Sequence, residues 1–412
     1  MKSIVAATVL GCFAGLLQAQ SIQSRPVAVF VDGSAAEPFV TRDGARGFVV
    51  TWQARLGDGI TALRFRHVDA DGRAGRAGEI ARGDGWFVNW ADFPSLAVLD
   101  NGDWLAHWLQ RSGPGHAYDI HASRSRDAGR TWSAPERLHD DGTRSEHGFV
   151  SFAPAGDGDA HAVWLDGRQT GANDAGHGHG KGDHGTSAGA MTLRAARVSR
   201  DGIDEAAQID DRVCDCCQTD AVRVGRGTLV VYRDRSADEI RDVRLARHDG
   251  RQWLASESLF GDGWRIQGCP VNGPAIAARG NDVIAAAYSE AGGQPGVRVR
   301  TSADGGANWR PSVTLAAGRT LGRLDVAALD HQRFLVSRLD LLDGTAELRV
   351  SLHDETGSVT ADRLMRSLPA DRLVGFPRTA ASGAAVLLAW TEVEAGAPVV
   401  RASMIAVDDD AD

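Results

Sequence analysis

The sequence predicts an all-β protein, a β-propeller built from four-stranded antiparallel blades. A short apolar run that ends in an aromatic or polar cluster recurs about every fifty residues. Almost no stretch shows the 3.6-residue periodicity of a helix, which leaves strands as the repeating element. The seven copies of the run lie at 48–52, 104–108, 161–165, 229–233, 283–288, 334–338 and 386–390.

Each run has the same neighbours, and together they define one blade. A strand of small residues precedes the run, as at 94–98, and a strand of alternating polarity follows it, as at 61–66. A turn with Asp and Gly and a weaker fourth strand close the unit. Period-two alternation with regular turn signals indicates antiparallel pairing. Seven runs predict seven blades, and six blades are the alternative.

The ends of the chain predict how the ring closes. The seventh run has no fourth strand before Asp412, and the apolar segment 26–31 precedes the first unit without a unit of its own. Closing a propeller removes exposed strand edges. We therefore expect the N-terminal segment to complete the last blade.

The first residues resemble an export signal. Lys2 is followed by an apolar run at 4–17 and by Leu17-Gln18-Ala19, so residues 1–19 are interpreted as a signal peptide. Residues 20–412 then form a single exported domain, periplasmic or secreted, and we expect a monomer. A lipid anchor on Cys12 is less favoured, because little apolar sequence precedes it. No later apolar run is long enough to span a membrane.

Composition restricts the class of partner. The net charge is -9, and this acidic balance argues against a nucleic-acid partner, which would favour a basic surface. A metal ion or a glycan is the expected ligand.

Two turns share the pattern Ser-x-Asp-x-Gly-x-Thr/Asn-Trp. In such a turn the Asp side chain bonds turn amides, Gly supplies a positive φ, and Trp packs against the blade. The pattern is the Asp box, and the chain resembles the sialidase-like (BNR-repeat) propeller superfamily. Asp boxes are structural, so this resemblance concerns the fold. The two sets are Ser125, Asp127, Gly129 and Trp132, and Ser302, Asp304, Gly306 and Trp309.

The resemblance also implies a hydrolase chemistry that can be compared with this sequence. It implies a clamp of three arginines on a carboxylate, a Tyr nucleophile supported by Glu, and an Asp acid. Arg233 and Arg378 are the clamp candidates, and Asp166 and Asp234 are the carboxylate candidates. The Phe/Tyr-Arg-Ile-Pro motif expected in the first blade is absent, which puts this activity in doubt.

The most unusual stretch is Arg-Val-Cys-Asp-Cys-Cys-Gln-Thr-Asp-Ala at 212–221. It places Cys214, Cys216 and Cys217 within four positions, and Cys269 begins the next blade. Both segments are expected on the same face of the propeller. Four arrangements remain open: two disulfides, one disulfide plus a thiol pair, a thiolate site for copper or zinc with His147 beside it, and a redox-active disulfide. We expect strain to disfavour pairing within the run itself.

A Gly- and His-rich loop at 169–190 lies in the third blade. Its composition indicates flexibility, and short His-rich tracts bind metals. His177, His179 and His184 are therefore candidate metal ligands that could deliver an ion to the thiolates. A solvated insertion with incidental histidines is the alternative.

The functional hypothesis is that the Cys- and His-rich face binds a metal, copper in first place, for handling or redox chemistry outside the cytoplasm. The alternative is an exo-sialidase or related glycoside hydrolase. The third is an interaction scaffold stapled by disulfides.

Overall fold

The computed structural model describes residues 21–29, 33–170, 189–330 and 332–408. The predicted signal peptide, Cys12 and the three loop histidines lie outside these residues. The described chain forms seven four-stranded antiparallel sheets. Among the described helical segments, none has the length and apolar character needed to cross a membrane.

The strands follow one another along the chain, four to a blade. The first described strand is β1 (Ser21–Val27). The first blade comprises β2 (Ser34–Arg42), β3 (Phe48–Gly57), β4 (Ile60–Val68) and β5 (Ala74–Gly83), and the second comprises β6 (Leu96–Val98), β7 (Trp104–Arg111), β8 (Tyr118–Ser125) and β9 (Glu136–Arg137). The third blade comprises β10 (His147–Gly156), β11 (Asp159–Asp166), β12 (Thr192–Val198) and β13 (Ala207–Asp210).

The remaining blades repeat this order, and three short 3₁₀ turns interrupt the connections at Gly44–Arg46, Ala291–Gly293 and Arg372–Val374. The fourth blade comprises β14 (Asp220–Val224), β15 (Gly227–Arg233), β16 (Val243–His248) and β17 (Glu257–Phe260), and the fifth comprises β18 (Ala275–Arg279), β19 (Asp282–Ser289), β20 (Gly296–Ser302) and β21 (Val313–Leu315). The sixth blade comprises β22 (Thr320–Ala328), β23 (Phe334–Leu342), β24 (Thr345–His353) and β25 (Val359–Pro369). The seventh blade contains β26 (Arg378–Ser382), β27 (Ala385–Glu394) and β28 (Ala397–Asp408).

The N-terminal strand closes the ring, as the sequence predicts. Strand β1 pairs antiparallel with β28, from Ser21 opposite Asp408 to Val27 opposite Ala402. It forms the outer strand of a blade whose other three strands come from the C-terminus. The pairing begins earlier than the apolar segment 26–31, because an outer strand needs few buried residues; only Ile22 and Val27 of β1 are fully buried. The seven-blade prediction is confirmed.

The hydrophobic cores lie between neighbouring blades. The inner strands β2, β6, β10, β14, β18, β22 and β26 contact one another in sequence, and β26 returns to β2. One core combines Leu105 and Tyr118 of the second blade with Trp164 of the third. Each blade therefore depends on its neighbours for burial of its apolar faces.

Buried carboxylates also join neighbouring blades near the axis. Each accepts a backbone N–H from the inner strand of the next blade: Asp92 from Phe149 (2.7 Å), Asp220 from Ile276 (2.9 Å) and Asp325 from Thr379 (2.7 Å). The Phe149 amide lies where β10 bulges between Gly148 and Ser151. The carboxylate thus satisfies an N–H that the bulge removes from the strand ladder.

The two turns with the Ser-x-Asp-x-Gly pattern have matching hydrogen bonds. The Ser125 hydroxyl donates to Asp127 (2.8 Å) and accepts the Gly129 N–H (2.7 Å). The Thr131 amide and hydroxyl donate to Asp127 and lower its pKa to about 2. Ser302, Asp304, Gly306 and Asn308 repeat the arrangement.

In both turns the glycine has a positive φ, 79° at Gly129 and 78° at Gly306, and the tryptophan packs on an inter-blade core. Trp132 contacts Trp104, with ring centroids 6.4 Å apart, and Trp309 packs against the core of the fourth and fifth blades. Both turns connect the third and fourth strands of a blade. They lie on the face opposite the connections between blades.

Closure by β1 can be tested with a matched pair of substitutions. Ile22→Ala removes a side chain buried between the sixth and seventh blades. We expect it to lower the free energy of unfolding by about 2–4 kcal/mol. Gln23→Ala, in the same strand but exposed, should change it by less than about 0.5 kcal/mol. Urea unfolding followed by tryptophan fluorescence measures both, and equal effects would contradict closure by this strand.

Candidate functional site

The cysteine run forms part of the connection between the third and fourth blades. Cys214 and Cys217 form a disulfide, with Cα atoms 5.7 Å apart, and each is only 1% exposed. The run therefore does pair within itself, although the sequence analysis expected strain to disfavour such a pairing. A separation of three residues brings the Cα atoms into the ordinary range for a disulfide.

The other two thiols lie against each other. Cys216 belongs to the run, and Cys269 belongs to the connection between the fourth and fifth blades. The Cys216 S–H donates to the Cys269 sulfur, which lowers the pKa of Cys269 and holds that of Cys216 well above its ordinary value. Cys269 is exposed and Cys216 is partly buried. The structure thus brings together two predicted ligands from different blades.

Backbone contacts between the two connections hold these thiols in place. The Val271 N–H donates to the Cys216 sulfur, and the Gly273 N–H donates to the Gln218 side chain at 2.9 Å. A Cβ on Gly273 would lie 2.1 Å from the Gln218 carbonyl oxygen, so only glycine permits this approach. The packing of the two loops therefore fixes the distance between the thiols.

A charged network orients the residue beside Cys216. Arg235 donates to both oxygens of Asp215 (2.9 and 3.2 Å) and to Glu239 (2.9 Å). Arg241 donates to Glu239 at 2.7 Å. The positive charges of Arg241 and Arg235 also favour the thiolate form of Cys269, whereas Asp215 opposes it. The network ties the cysteine run to the loop between β15 and β16.

A tyrosine and two carboxyl groups share a proton beside the thiols. The Tyr118 hydroxyl lies 2.7 Å from Asp92 and 2.9 Å from Glu146. One hydroxyl proton cannot serve both acceptors, so one carboxyl must be protonated for both contacts to be hydrogen bonds. Burial raises the pKa of Asp92 to about 7 and that of Glu146 to about 8. The negative charges of Asp215 and Cys269 add to the shift at Glu146.

His147 lies in a different cluster from the thiols. Its Nε2 is 3.1 Å from Asp141 and 3.8 Å from Asp166. Its Nδ1 lies 3.3 Å from the Tyr118 carbonyl oxygen, and its ring stacks on His139 with centroids 3.7 Å apart. Glu146, the residue just before β10, contacts the Tyr118 hydroxyl instead. The structure therefore separates His147 from the thiols that the sequence analysis placed beside it.

The Asp141 and Asp166 carboxylates near His147 already have a cationic partner. Arg168 donates to both oxygens of Asp166 (2.7 Å each) and lies 3.2 Å from Asp141. Trp164 donates its indole N–H to Asp166 at 2.9 Å. This cluster is accordingly a buried ion-pair network. Asp166, a predicted hydrolase carboxylate, is fully buried within it.

Arg233 has a role in holding the backbone together. Its guanidinium donates to the carbonyl oxygens of Asn272 (3.0 Å), Arg241 (2.6 Å) and Tyr288 (2.6 Å). The side chain is buried, and burial lowers its pKa to about 10. Through these three carbonyl groups Arg233 joins the fourth and fifth blades.

The other predicted hydrolase residues lie in different surroundings. Asp234 accepts the Arg235 N–H at 2.7 Å. Arg378, in the seventh blade, is 3.4 Å from Asp325, and its guanidinium lies between the rings of Phe39 and Phe93. Within the described chain, the four hydrolase candidates are engaged separately and do not form one clamp.

Sequence reasoning missed several residues of this face. It did not pair Tyr118 with Glu146, nor identify Glu239 and Arg241 as supports of the cysteine run. The separation of Arg235 and Glu239 by four residues was the sequence signal from which their ion pair could have been predicted. The partners His139 and Asp141 of His147 were also missed, although they lie in the segment that leads directly into β10.

A large cleft lies on the opposite face, between the third and fourth blades. Its volume is about 1080 Å³, and its walls include His161, His248, Trp253 and Arg197. The His161 and His248 rings are 4.4 Å apart, and both contact Trp253. Cleft and thiols are on different faces, so neither forms part of the other's site.

Comparisons with known proteins identify relatives in fold. No family model and no curated protein matches the chain. A protein of unknown function from Dyadobacter fermentans matches with a TM-score of 0.57 and 12% identity, over 94% of this chain and 99% of that chain. The BP39L lectin from Burkholderia pseudomallei matches with a TM-score of 0.59 and 12% identity, over 92% and 97%.

The Hadza microbial sialidase Hz136 also matches, with a TM-score of 0.47, 14% identity, and coverage of 91% of each chain. At these identities the likeness is one of fold. The β-propeller fold predicted from the sequence is confirmed.

The shared proton predicts a pH dependence of stability. The folded-state pKa values of Glu146 and Asp92 are raised above the ordinary values of 4.5 and 3.8. Between about pH 5 and pH 8 the folded state therefore holds protons that the unfolded state has lost, so stability falls as the pH rises. Glu146→Gln should make this fall shallower. Urea unfolding of both proteins across that range measures it, and identical slopes would contradict a protonated pair.

Proposed function

We propose that Cys216 and Cys269 bind a soft metal ion, Cu(I) in first place, and that the exported protein handles copper outside the cytoplasm. The observation that carries the proposal is the contact between two thiols that belong to different blades and are outside the disulfide. Thiolates are the preferred protein ligands of Cu(I). A rigid ring positions them, because each loop is anchored at both ends by strands.

The number of sulfur ligands favours copper over zinc. The Cys214–Cys217 disulfide withdraws two of the four cysteines from the predicted ligand set. A structural zinc site ordinarily needs four ligands, whereas Cu(I) is stable with two soft ligands. Arg235 and Arg241 favour the thiolate of Cys269 electrostatically, and thiolates are the form that binds metals.

The histidines of the third-blade loop enter the proposal as a second ligand set. His177, His179 and His184 lie outside the described residues, and their spacing is that of a metal-binding tract. The loop begins and ends on the same face as the thiols, since β11 and β12 flank it. We propose that this loop binds the metal ion first and then delivers it to the dithiol.

Cu(I) binding can be measured by anaerobic competition with a chromophoric Cu(I) chelator. We expect one tightly bound Cu(I) per reduced dithiol. Cys216→Ser and Cys269→Ser should each weaken binding by more than roughly 100-fold, because each removes one of two ligands. The affinity for Cu(I) should fall while the fold is unchanged. Near-UV circular dichroism of each variant checks that it is folded.

Two variants serve as controls for this measurement. His147→Gln alters a residue outside the dithiol and should leave the Cu(I) affinity unchanged. Deletion of 175–187 should leave the dithiol affinity unchanged and abolish any additional, weaker binding. Stoichiometric Cu(I) binding that survives both serine variants would refute the dithiol site, and complete absence of binding would favour the scaffold function.

A glycoside hydrolase is the second candidate, supported by one observation. The Tyr118 hydroxyl contacts Glu146 at 2.9 Å, the residue types that the sialidase-like resemblance implies for a nucleophile and its support. The pair lies on the same face as the thiols. Burial of Tyr118, which stacks on Phe87 with ring centroids 4.0 Å apart, weighs against access by a sugar.

The hydrolase candidate makes its own prediction. Wild-type protein should release the fluorophore from a fluorogenic sialoside, and Tyr118→Phe should lower kcat at least about 100-fold. Tyr232→Phe, which removes a buried hydroxyl bonded to Asp210 in another blade, should leave kcat unchanged. No release by the wild-type protein rejects this candidate and does not affect the copper proposal.

A further inference from the structure

Four sulfur atoms form a contiguous set on the face that carries the thiols. The sulfurs of Cys214, Cys216 and Cys217 all lie within 4.8 Å of one another. Cys216 in turn is hydrogen-bonded to Cys269. One pair is oxidised and buried, whereas the other is reduced and reaches the surface at Cys269. A reduced pair that reaches the surface has the access that thiol–disulfide exchange requires.

We propose that Cys269 and Cys216 form a redox-active dithiol that reduces disulfides of other molecules, with Cys269 as the attacking thiol and Cys216 as the resolving thiol. The activity uses the same two thiols as the proposed copper site. It shares with the copper proposal the requirement that both thiols are reduced, and it does not require that copper binds. Its partner is defined by chemistry: an accessible disulfide, of a small molecule or of a protein.

The two cysteines differ in the ways that this division of roles requires. Cys269 is exposed, so a disulfide in solution can reach its sulfur. Cys216 lies behind it, receives the Val271 N–H, and donates its own proton to Cys269. This contact places the Cys216 sulfur directly beside the sulfur that it has to attack in the second step. The attacking position is therefore the one that a substrate disulfide can reach, and the resolving position is its partly buried neighbour.

The exchange proceeds in two balanced steps. The Cys269 thiolate attacks a disulfide RS–SR, which forms a Cys269–SR mixed disulfide and releases one thiolate RS⁻. Cys216 then loses its proton to solvent and attacks the Cys269 sulfur, which forms the Cys216–Cys269 disulfide and releases the second RS⁻. The dithiol loses two electrons, and the substrate disulfide gains them.

The buried disulfide keeps the exchange confined to one pair. Cys214 and Cys217 are each 1% exposed, so a thiol in solution has no direct route to them. Their bond also fixes the backbone on both sides of Cys216. In the oxidised state of the exposed pair neither sulfur is a thiolate, and the proposed copper site is closed. Metal binding and disulfide exchange would therefore exclude each other.

The test uses the full exported protein, metal-free and reduced under mild conditions, with glutathione disulfide as the probe. After acid quenching, remaining thiols are alkylated and counted by intact-protein mass spectrometry. Wild-type protein should retain one disulfide throughout and gain the second, Cys216–Cys269. Cys216→Ser should accumulate one glutathione adduct on Cys269, because the resolving thiol is missing. Cys269→Ser should form an adduct at least tenfold more slowly.

The contrast between the two serine variants decides the assignment. Equal adduct formation in both variants, or none in Cys216→Ser, would overturn the proposal. A Cys216–Cys269 disulfide that forms and resists reduction short of unfolding would also overturn it, since the pair would be a staple. Cys216→Ala and Cys269→Ala replace the serine variants if circular dichroism shows that these are unfolded.

Cu(I) binding measured on the same reduced preparations separates this inference from the copper proposal. Exchange without Cu(I) binding would reject only the metal function. Cu(I) binding with no adduct in the resolving-thiol variant would reject only the exchange activity.

Discussion

The structure depends on closure of the ring between β1 and β28. Each blade is too thin to bury its own apolar faces, so every core is shared between two neighbours. An open ring would expose one face at each end and two strand edges. Pairing of the N-terminal strand with the last strand removes both, and it joins residues almost four hundred positions apart in the chain.

A closed ring supplies rigid support for long irregular connections. The two thiols lie on loops between the third and fourth and the fourth and fifth blades, and strands hold both ends of each loop. The contact between Gln218 and Gly273, and the guanidinium of Arg233, join these loops through backbone groups. Flexible loops would leave two cysteines on different blades apart, at a cost in conformational entropy whenever they met.

The chemistry of the face reflects a concentration of partly buried acids and thiols. Tyr118, Asp92 and Glu146 retain a proton near neutral pH because burial disfavours a second carboxylate. Close by, arginines favour the Cys269 thiolate. A carboxyl group with a raised pKa and a thiol with a lowered pKa therefore lie within a small region. On the opposite face, Asp127 and Asp304 stabilise the two turns. Hydrogen bonds to their carboxylates from amide and hydroxyl groups lower their pKa values to about 2, so both carboxylates stay ionised.

The sequence by itself determined the fold, favoured seven blades over six and predicted closure by an N-terminal strand, because strand alternation and the repeated apolar runs are local patterns. It also identified Cys216 and Cys269 as residues of one face, since both precede the inner strand of a blade. Only the tertiary structure decided the sulfur partners: Cys214 pairs with Cys217, and Cys216 meets Cys269 across two blades. It also placed His147 with Asp141 and engaged Arg233 with three carbonyl groups. Such contacts depend on side-chain direction and loop packing between blades, for which a single sequence carries no periodic signal.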